Sequence, residues 1–398
     1  MSCVDIAKPY TQLPPGIWRA ELTLTEDDVL PFNFESRYDE GGEMHIDIIN
    51  AEERIPVSGI SFGRTKDLRD TVVIPFPLMD SYISAQYKEN VLEGYWHVNN
   101  REDYKIPFVA FHGQSHRFTT QNQTPATDLS GRWQATFEIE TEDVYPAIGE
   151  FVQADNQLTG TFLTETGDYR YLQGTVQGST FSLSCFDGSH AFLFTGDISQ
   201  NETLTGRFLS GKHYKTNWIA SRNEEATLTN PYELSQITTP DKKIDFTLPN
   251  TEGKMISLGD NQYNGKPKLI TMMGTWCPNC LDESKFLLNY LKENPDQKFE
   301  IIALAFEKYR DKDKAISTIR NYKKRMNIPY EVLFAGYYDK AEATENIGFI
   351  DKIMSYPTLL FVNKDNEVVK VHTGFSGPAT SEYQDFIVKF EQELSEIL

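Results

Sequence analysis

Residues 268–280 read Lys-Leu-Ile-Thr-Met-Met-Gly-Thr-Trp-Cys-Pro-Asn-Cys. The stretch from Lys268 to Met273 has the composition of a buried strand, and Leu281 to Leu291 carry an apolar face at helical spacing. Two cysteines, two residues apart, are thus expected where a strand hands over to a helix. Cys277 falls just before the helix, where unsatisfied N–H groups and the helix dipole favour negative charge. A thiolate is the attacking species in thiol chemistry, so this position activates Cys277. Cys280 lies one turn on and can attack a mixed disulfide from within the same molecule, at high effective concentration. The pair suits dithiol–disulfide exchange, with a redox-active Cys277–Cys280 disulfide in place of any bound cofactor.

The chain has 398 residues, enough for two or three domains. Its formal net charge of −20, with no basic stripe, argues against nucleic acid as a partner. No run of about 18 apolar residues is present to span a membrane. The four cysteines (Cys3, Cys185, Cys277 and Cys280) do not make a disulfide scaffold. One CxxC supplies two ligands, and no second pair or His cluster completes a zinc site. Leu281 rather than His follows Cys280, which excludes c-type haem attachment. Cys185 sits in an alternating run, Ser179 to Phe186, and reads as an inert strand thiol. Met1-Ser2-Cys3 resembles the end of a bacterial lipoprotein signal, which would make Cys3 a lipid anchor. An incidental terminal cysteine reads equally well.

Two stretches before residue 230 repeat one another. Residues 16–36 and 131–151 align without gaps and share Gly16/Gly131, Trp18/Trp133, Ala20/Ala135, Asp28/Asp143, Val29/Val144, Pro31/Pro146 and Glu35/Glu150. A second echo pairs Leu92-Glu-Gly94-Tyr-Trp96 with Leu204-Thr-Gly206-Arg-Phe208. Alternation such as Met44-His-Ile-Asp-Ile48 predicts half-buried antiparallel strands. We read two tandem all-β modules, 15–113 and 129–223, each a barrel or sandwich, joined by the polar stretch 115–129. From residue 240 the pattern changes. Two short strand candidates (245–248 and 255–258) lead into a strand at 268–273, a helix from about 279 and a strand at 299–305. A helix at 312–326, a strand at 330–334, strands at 358–363 and 367–372, and a terminal helix from about 381 follow. Ser381 and Gln384 fit a capping box for that last helix. The expected class is multidomain: all-β modules followed by an α/β thioredoxin fold.

Residues 240–398 resemble the thioredoxin superfamily and, within it, the TlpA/ResA-like periplasmic thiol–disulfide oxidoreductases. The resemblance is carried by the opening hairpin Asp245–Leu258, by Gly274-Thr-Trp-Cys-Pro-Asn-Cys280 and by Tyr356-Pro357-Thr358. It implies a cis Tyr356–Pro357 bond facing the dithiol, with the Tyr356 backbone and Trp276 as docking surface for a client; a trans proline and a merely packed Trp276 are the plain alternatives. It also implies an acidic residue near the cysteines. Glu283, three residues after Cys280, fits as a partly buried proton shuttle, or else as an exposed first-turn glutamate. Thioredoxin itself carries an acidic residue six positions before its first cysteine, where this chain has Thr271, so Glu283 or Glu307 must serve. The loop 373–380 either borders the site or is a turn before the last helix.

Three functions compete. The first is a periplasmic or envelope disulfide reductase, acting on client proteins with cysteines or disulfides and recharged by a membrane thiol electron donor. The second is a disulfide isomerase or oxidase using the β modules for dimerisation or client binding, which would make an oligomer. The third is a non-enzymatic β binding protein with an accessory redox domain. A peroxiredoxin is disfavoured, because Gly274 and Ile270 stand where that family needs threonine and proline.

Overall fold

The computed structural model describes residues 12–199 and 203–398. Cys3, with the lipid-anchor expectation, lies outside them. The chain divides into two compact units. One runs through Leu129 and takes in 152–159 and 171–218; the other comprises 130–151, 160–170 and 219–398.

Nine antiparallel strands between Gly16 and His112 form an open sheet. In Met44–Asn50 alternate residues are buried, so Met44, Ile46 and Ile48 share the inner face. A second sheet runs from Gly131 to Arg222. Its strand Tyr145–Ala154 pairs with both Gly131–Phe137 and Gln157–Thr164, which closes eight strands into a barrel. A ninth, two-residue strand, Gly167–Asp168, hangs on Gln157–Thr164. The region is all-β, as the alternation predicts.

The repeated residues have repeated physical jobs. Gly16 and Gly131 open their strands at φ 121° and 114°, a backbone region that favours glycine. Trp18 and Trp133 are fully buried two residues on. Gly94 and Gly206 lie where strands close so tightly that a Cβ would stand 2.0 Å from the carbonyl oxygens of Ser84 and Thr195.

The polar stretch after the first sheet is more than a connection. Arg117 is buried and donates to Ile49 O (3.0 Å), Asn50 Oδ1 (3.2 Å), Ser184 Oγ (3.0 Å) and Ser184 O (3.0 Å). In the same unit Phe32 and Phe186 pack with their rings tilted by 31° and centroids 4.4 Å apart. Burial lowers the Arg117 pKa to about 10, well short of neutralising it.

In the other unit the central sheet has five strands, in the order Glu331–Tyr337, Glu300–Glu307, Lys268–Met273, Thr358–Val362 and Val368–Thr373. The first three are parallel to one another; Thr358–Val362 runs antiparallel to the central strand, and Val368–Thr373 antiparallel to Thr358–Val362. Every residue of Lys268–Met273 is buried, which is why the stretch is mostly apolar and lacks the alternation of a half-exposed strand. Helices α1 (Pro278–Glu293), α2 (Lys312–Met326), α3 (Lys340–Ile347) and α4 (Tyr383–Ile397) complete a thioredoxin fold. The apolar face of α4 buries Phe386, Phe390 and Leu394, and Phe286 of α1 packs edge-on to Phe386 and Phe390.

The capping box expected at Ser381 and Gln384 does not form. Helix α4 starts at Tyr383, and its cap position, Glu382, makes no side-chain cap. Ser381 is taken by a competing acceptor: its hydroxyl and amide donate to the two oxygens of Glu150, at 2.6 and 2.9 Å.

Arg117→Ala leaves several buried acceptors short of a donor. We expect it to destabilise the unit through Leu129 by about 3 kcal/mol, read from urea unfolding of the full chain. A loss below about 0.5 kcal/mol, the size of an ordinary surface change, would remove this role.

Candidate active site

The strand Lys268–Met273 ends four residues before α1 begins, and this short turn is pinned. Glu307, at the end of the neighbouring parallel strand, accepts from Thr275 N (3.0 Å) and Thr275 Oγ1 (2.8 Å). Trp276 Nε1 donates to Phe306 O at 2.9 Å. Cys277 then becomes the N-cap of α1, with Pro278 in the first turn, and its Sγ accepts from Cys280 N at 3.2 Å. A thiolate at Cys277 would take the same N–H as a charge-assisted bond.

Both cysteines are free thiols. Cys277 retains 7% exposure and Cys280 none, so the outer sulfur alone is open to a reactant. Cys277 Sγ donates to Tyr356 O at 3.3 Å, and the Tyr356–Pro357 bond is cis. The trans alternative is thereby set aside. Gly374 N donates to Pro357 O at 2.9 Å, which places the loop after the last strand beside the cis-proline. Trp276 is partly exposed, with Tyr338 and Tyr356 edge-on and Lys308 Nζ 4.5 Å above its ring.

Glu283 points into the core and is 1% exposed, so it is not a solvated first-turn glutamate. Its Oε2 accepts from Thr271 Oγ1 at 2.5 Å, and its Oε1 has no partner. Burial pushes its pKa up from 4.5 to about 7, only partly opposed by the Thr271 hydroxyl. Cys280 sits one turn earlier on the same helix face. Its thiol is pushed well above the ordinary value by burial first, then by Cys277, with a further rise from the Glu283 charge. The other carboxylate candidate, Glu307, is committed to holding Thr275. The structure thus brings Trp276, Cys277, Cys280, Glu283, Tyr356 and Pro357 together around one thiol.

Some neighbours escaped the sequence reading. Thr271, noted only for the missing acid, is the hydroxyl that holds Glu283. Tyr330 is buried beside the site, and its pKa is raised by burial first and then by Glu283. Arg170, 112 positions before Asp282, pairs with it at the start of α1 at 2.5 Å. No local spacing signals that contact.

The AhpC/TSA family profile matches residues 240–371. The match takes in the thioredoxin-like part of the chain up to residue 371. Among curated proteins, the chain is 27% identical over 136 residues to "Thiol-disulfide oxidoreductase ResA" of Halalkalibacterium halodurans, covering 34% of this chain and 68% of that one. It is 27% identical over 130 residues to the protein of the same name in Bacillus subtilis, covering 33% and 64%. The chain thus spans about two thirds of the length of these relatives. Among solved structures, a thiol-disulfide oxidoreductase from Bacteroides fragilis aligns over 38% of this chain and 98% of its own, at 16% identity and a TM-score of 0.29. A thiol:disulfide interchange protein from Chlorobium tepidum aligns over 40% and 97%, at 20% identity and a TM-score of 0.30. The domain is of the thiol–disulfide oxidoreductase class of the thioredoxin superfamily. The strands before residue 230 lie outside the matched residues.

The Glu283 carboxyl ties stability to pH. Its folded pKa is raised, so between about pH 4.5 and 7 the folded chain keeps a proton that the unfolded chain has released. Stability falls as pH rises through that window and is level above it. Glu283→Gln removes the linkage and can still accept from Thr271. Urea unfolding at pH 4.5 and 8 should show the wild type losing about 3 kcal/mol more than the variant. Parallel pH profiles would mean that Glu283 is ionised as easily in the fold as out of it.

Proposed function

We propose that this protein is a protein disulfide reductase of the cell envelope, acting on client disulfides through Cys277 and Cys280. The observation that carries this is the asymmetry of the pair. An outer sulfur caps α1 and faces the cis-proline loop, while an inner, fully buried sulfur shares a helix face with an ionisable carboxyl.

The Cys277 thiolate attacks one sulfur of the client disulfide. A Cys277–client bond forms, the client S–S bond breaks, and the second client sulfur leaves as a thiolate that takes up a proton. Cys280 gives its proton to the Glu283 carboxylate and attacks Cys277 Sγ. The client's remaining sulfur leaves, and two electrons have passed from the dithiol to the client. The protein is left with a Cys277–Cys280 disulfide, the only redox group the cycle needs, and a thiol donor must reduce it again. Trp276 and the Tyr356–Pro357 backbone border the open side of Cys277 and serve as the client's docking surface. A proton acceptor beside the inner thiol assists its attack, because Cys280 must lose its proton first, and the same carboxyl returns that proton when Cys280 is the leaving group. The reductive direction rests on the resemblance to TlpA/ResA-like proteins.

The envelope location rests on the resemblance to TlpA/ResA-like proteins and on the lipoprotein reading of Cys3. No described helix is long and apolar enough to cross a membrane. A membrane thiol protein is then the natural electron donor.

The reduced protein should reduce insulin disulfides. Cys277→Ser should abolish this and trap no client, whereas Cys280→Ser should accumulate mixed disulfides through Cys277, seen on non-reducing gels. Two variants indistinguishable from wild type would end the redox assignment. Equilibration with glutathione separates the directions: a potential of about −250 mV or lower fits a reductase, one near about −120 mV an oxidase.

A further inference from the structure

A hairpin of the closed barrel reaches the mouth of the dithiol. The strand Gln157–Thr164 turns back into Gly167–Asp168, with Leu163 opposite Asp168 and Thr164 opposite Gly167. The tip, residues 164–170, lies against three segments that surround Cys277. The first is the dipeptide between the cysteines: Asn279 Nδ2 donates to Asp168 O at 3.5 Å. Approach there is so close that a Cβ on Gly167 would stand 1.9 Å from Asn279 Nδ2. The second is the cis-proline loop: Ser355 Oγ donates to Thr166 O at 2.6 Å. The third is the loop after the last strand: Gly377 N donates to Asp168 Oδ2 at 2.7 Å. A Cβ on Gly374 would meet Glu165 O at 3.2 Å.

The tip is anchored. Asp168 Oδ1 accepts from Arg170 N at 2.7 Å. The Arg170 side chain is 5% exposed and reaches Asp282, the fifth residue of α1. The contact is polar, specific and built from backbone groups on both sides, and it holds the tip at a defined distance from Cys277. Trp276, partly exposed and with Lys308 above its ring, borders Cys277 on the chain's own side of the dithiol.

Disulfide exchange is an in-line displacement at sulfur, so the client's S–S axis must point at Cys277 Sγ. A wall on the Asn279 and Gly377 sides removes the orientations in which a broad protein surface lies across the groove. We propose that the 164–170 hairpin is a specificity-determining wall of the dithiol site, selecting small disulfides and disulfides on extended, mobile segments over those in folded proteins. This rests on the redox reading above and names its substrate class.

The test uses the full chain and two substrates, hydroxyethyl disulfide as the small one and insulin as the folded one. Gly167→Val drives the tip off Asn279; Asp168→Ala is a milder variant that gives up the Gly377 contact and keeps the backbone. Wild type should favour hydroxyethyl disulfide. Gly167→Val should raise kcat/KM on insulin about tenfold, with the small-disulfide rate within about twofold. Asp168→Ala should move the ratio the same way by less. An unchanged ratio in both variants, or equal changes in both rates, overturns the wall. Should Gly167→Val fail to fold, by circular dichroism, Asp168→Ala alone decides. Hydroxyethyl disulfide turnover that survives Cys277→Ser would instead overturn the redox reading and leave the wall without a site.

Discussion

The site depends on how the central strand is turned into α1. Lys268–Met273 is buried on all sides, and four residues later a helix must start with its first N–H groups unpaired. Those groups are the electrostatic resource of the site, and Cys277 is the residue that claims one of them. For the cap to hold, Thr275 must be fixed, and Glu307 fixes it through both its amide and its hydroxyl. A glutamate two per cent exposed is costly unless hydrogen-bonded, and here both oxygens accept. One buried carboxylate thus sets the outer sulfur's position, while a second, Glu283, is left with an unpartnered oxygen beneath the inner sulfur. The two acids of the site differ because one is satisfied and the other is not.

The thioredoxin-like domain was legible in the sequence because its signals are local. A six-residue stretch that is mostly apolar and does not alternate reads as a strand buried on both faces, and the CxxC, Pro278 and Glu283 fall within one turn or two. Glu283's burial was open until α1 was seen to face the core there. What was not legible is long-range. Glu307 and Thr275 are 32 positions apart, and the loop they join has no signature that demands a carboxylate. The failed capping box at Ser381 makes the same point. The motif is present, but Glu150, 231 positions away, binds the serine's hydroxyl and amide more directly than a box would. Side-chain caps are worth about 1 kcal/mol, little enough for a tertiary contact to override.

The β region shows a different limit. Alternation says which side chains face inward, and the repeat says which strands correspond. Neither says which strand pairs across the seam. The aligned tryptophans and glycines hold the same places in both sheets, yet Tyr145–Ala154 gains a second partner and closes a barrel, whereas the first sheet stays open. The stretch 115–129 looked polar enough to be only a connection. Arg117 shows why that inference fails: a guanidinium can be buried when each of its nitrogens meets an acceptor, and composition does not record that.

The two raised proton affinities in the site belong to one physical problem. Burial that protects the dithiol from solvent makes a thiolate at Cys280 expensive, so the inner sulfur keeps its proton in the reduced protein. A resolving thiol that cannot lose its proton cannot resolve. On the redox reading, the same burial supplies the remedy, because it lifts Glu283 to about 7, where the carboxyl exchanges protons near neutral pH. An ordinary surface glutamate would be too weak a base for so reluctant a thiol, and one whose two oxygens both hold a loop, like Glu307, is not free to turn to it. The unpartnered Oε1 is then the cost in stability of a base that is both close enough and strong enough, and Thr271, standing where thioredoxin keeps an acid, limits that cost by bonding the other oxygen.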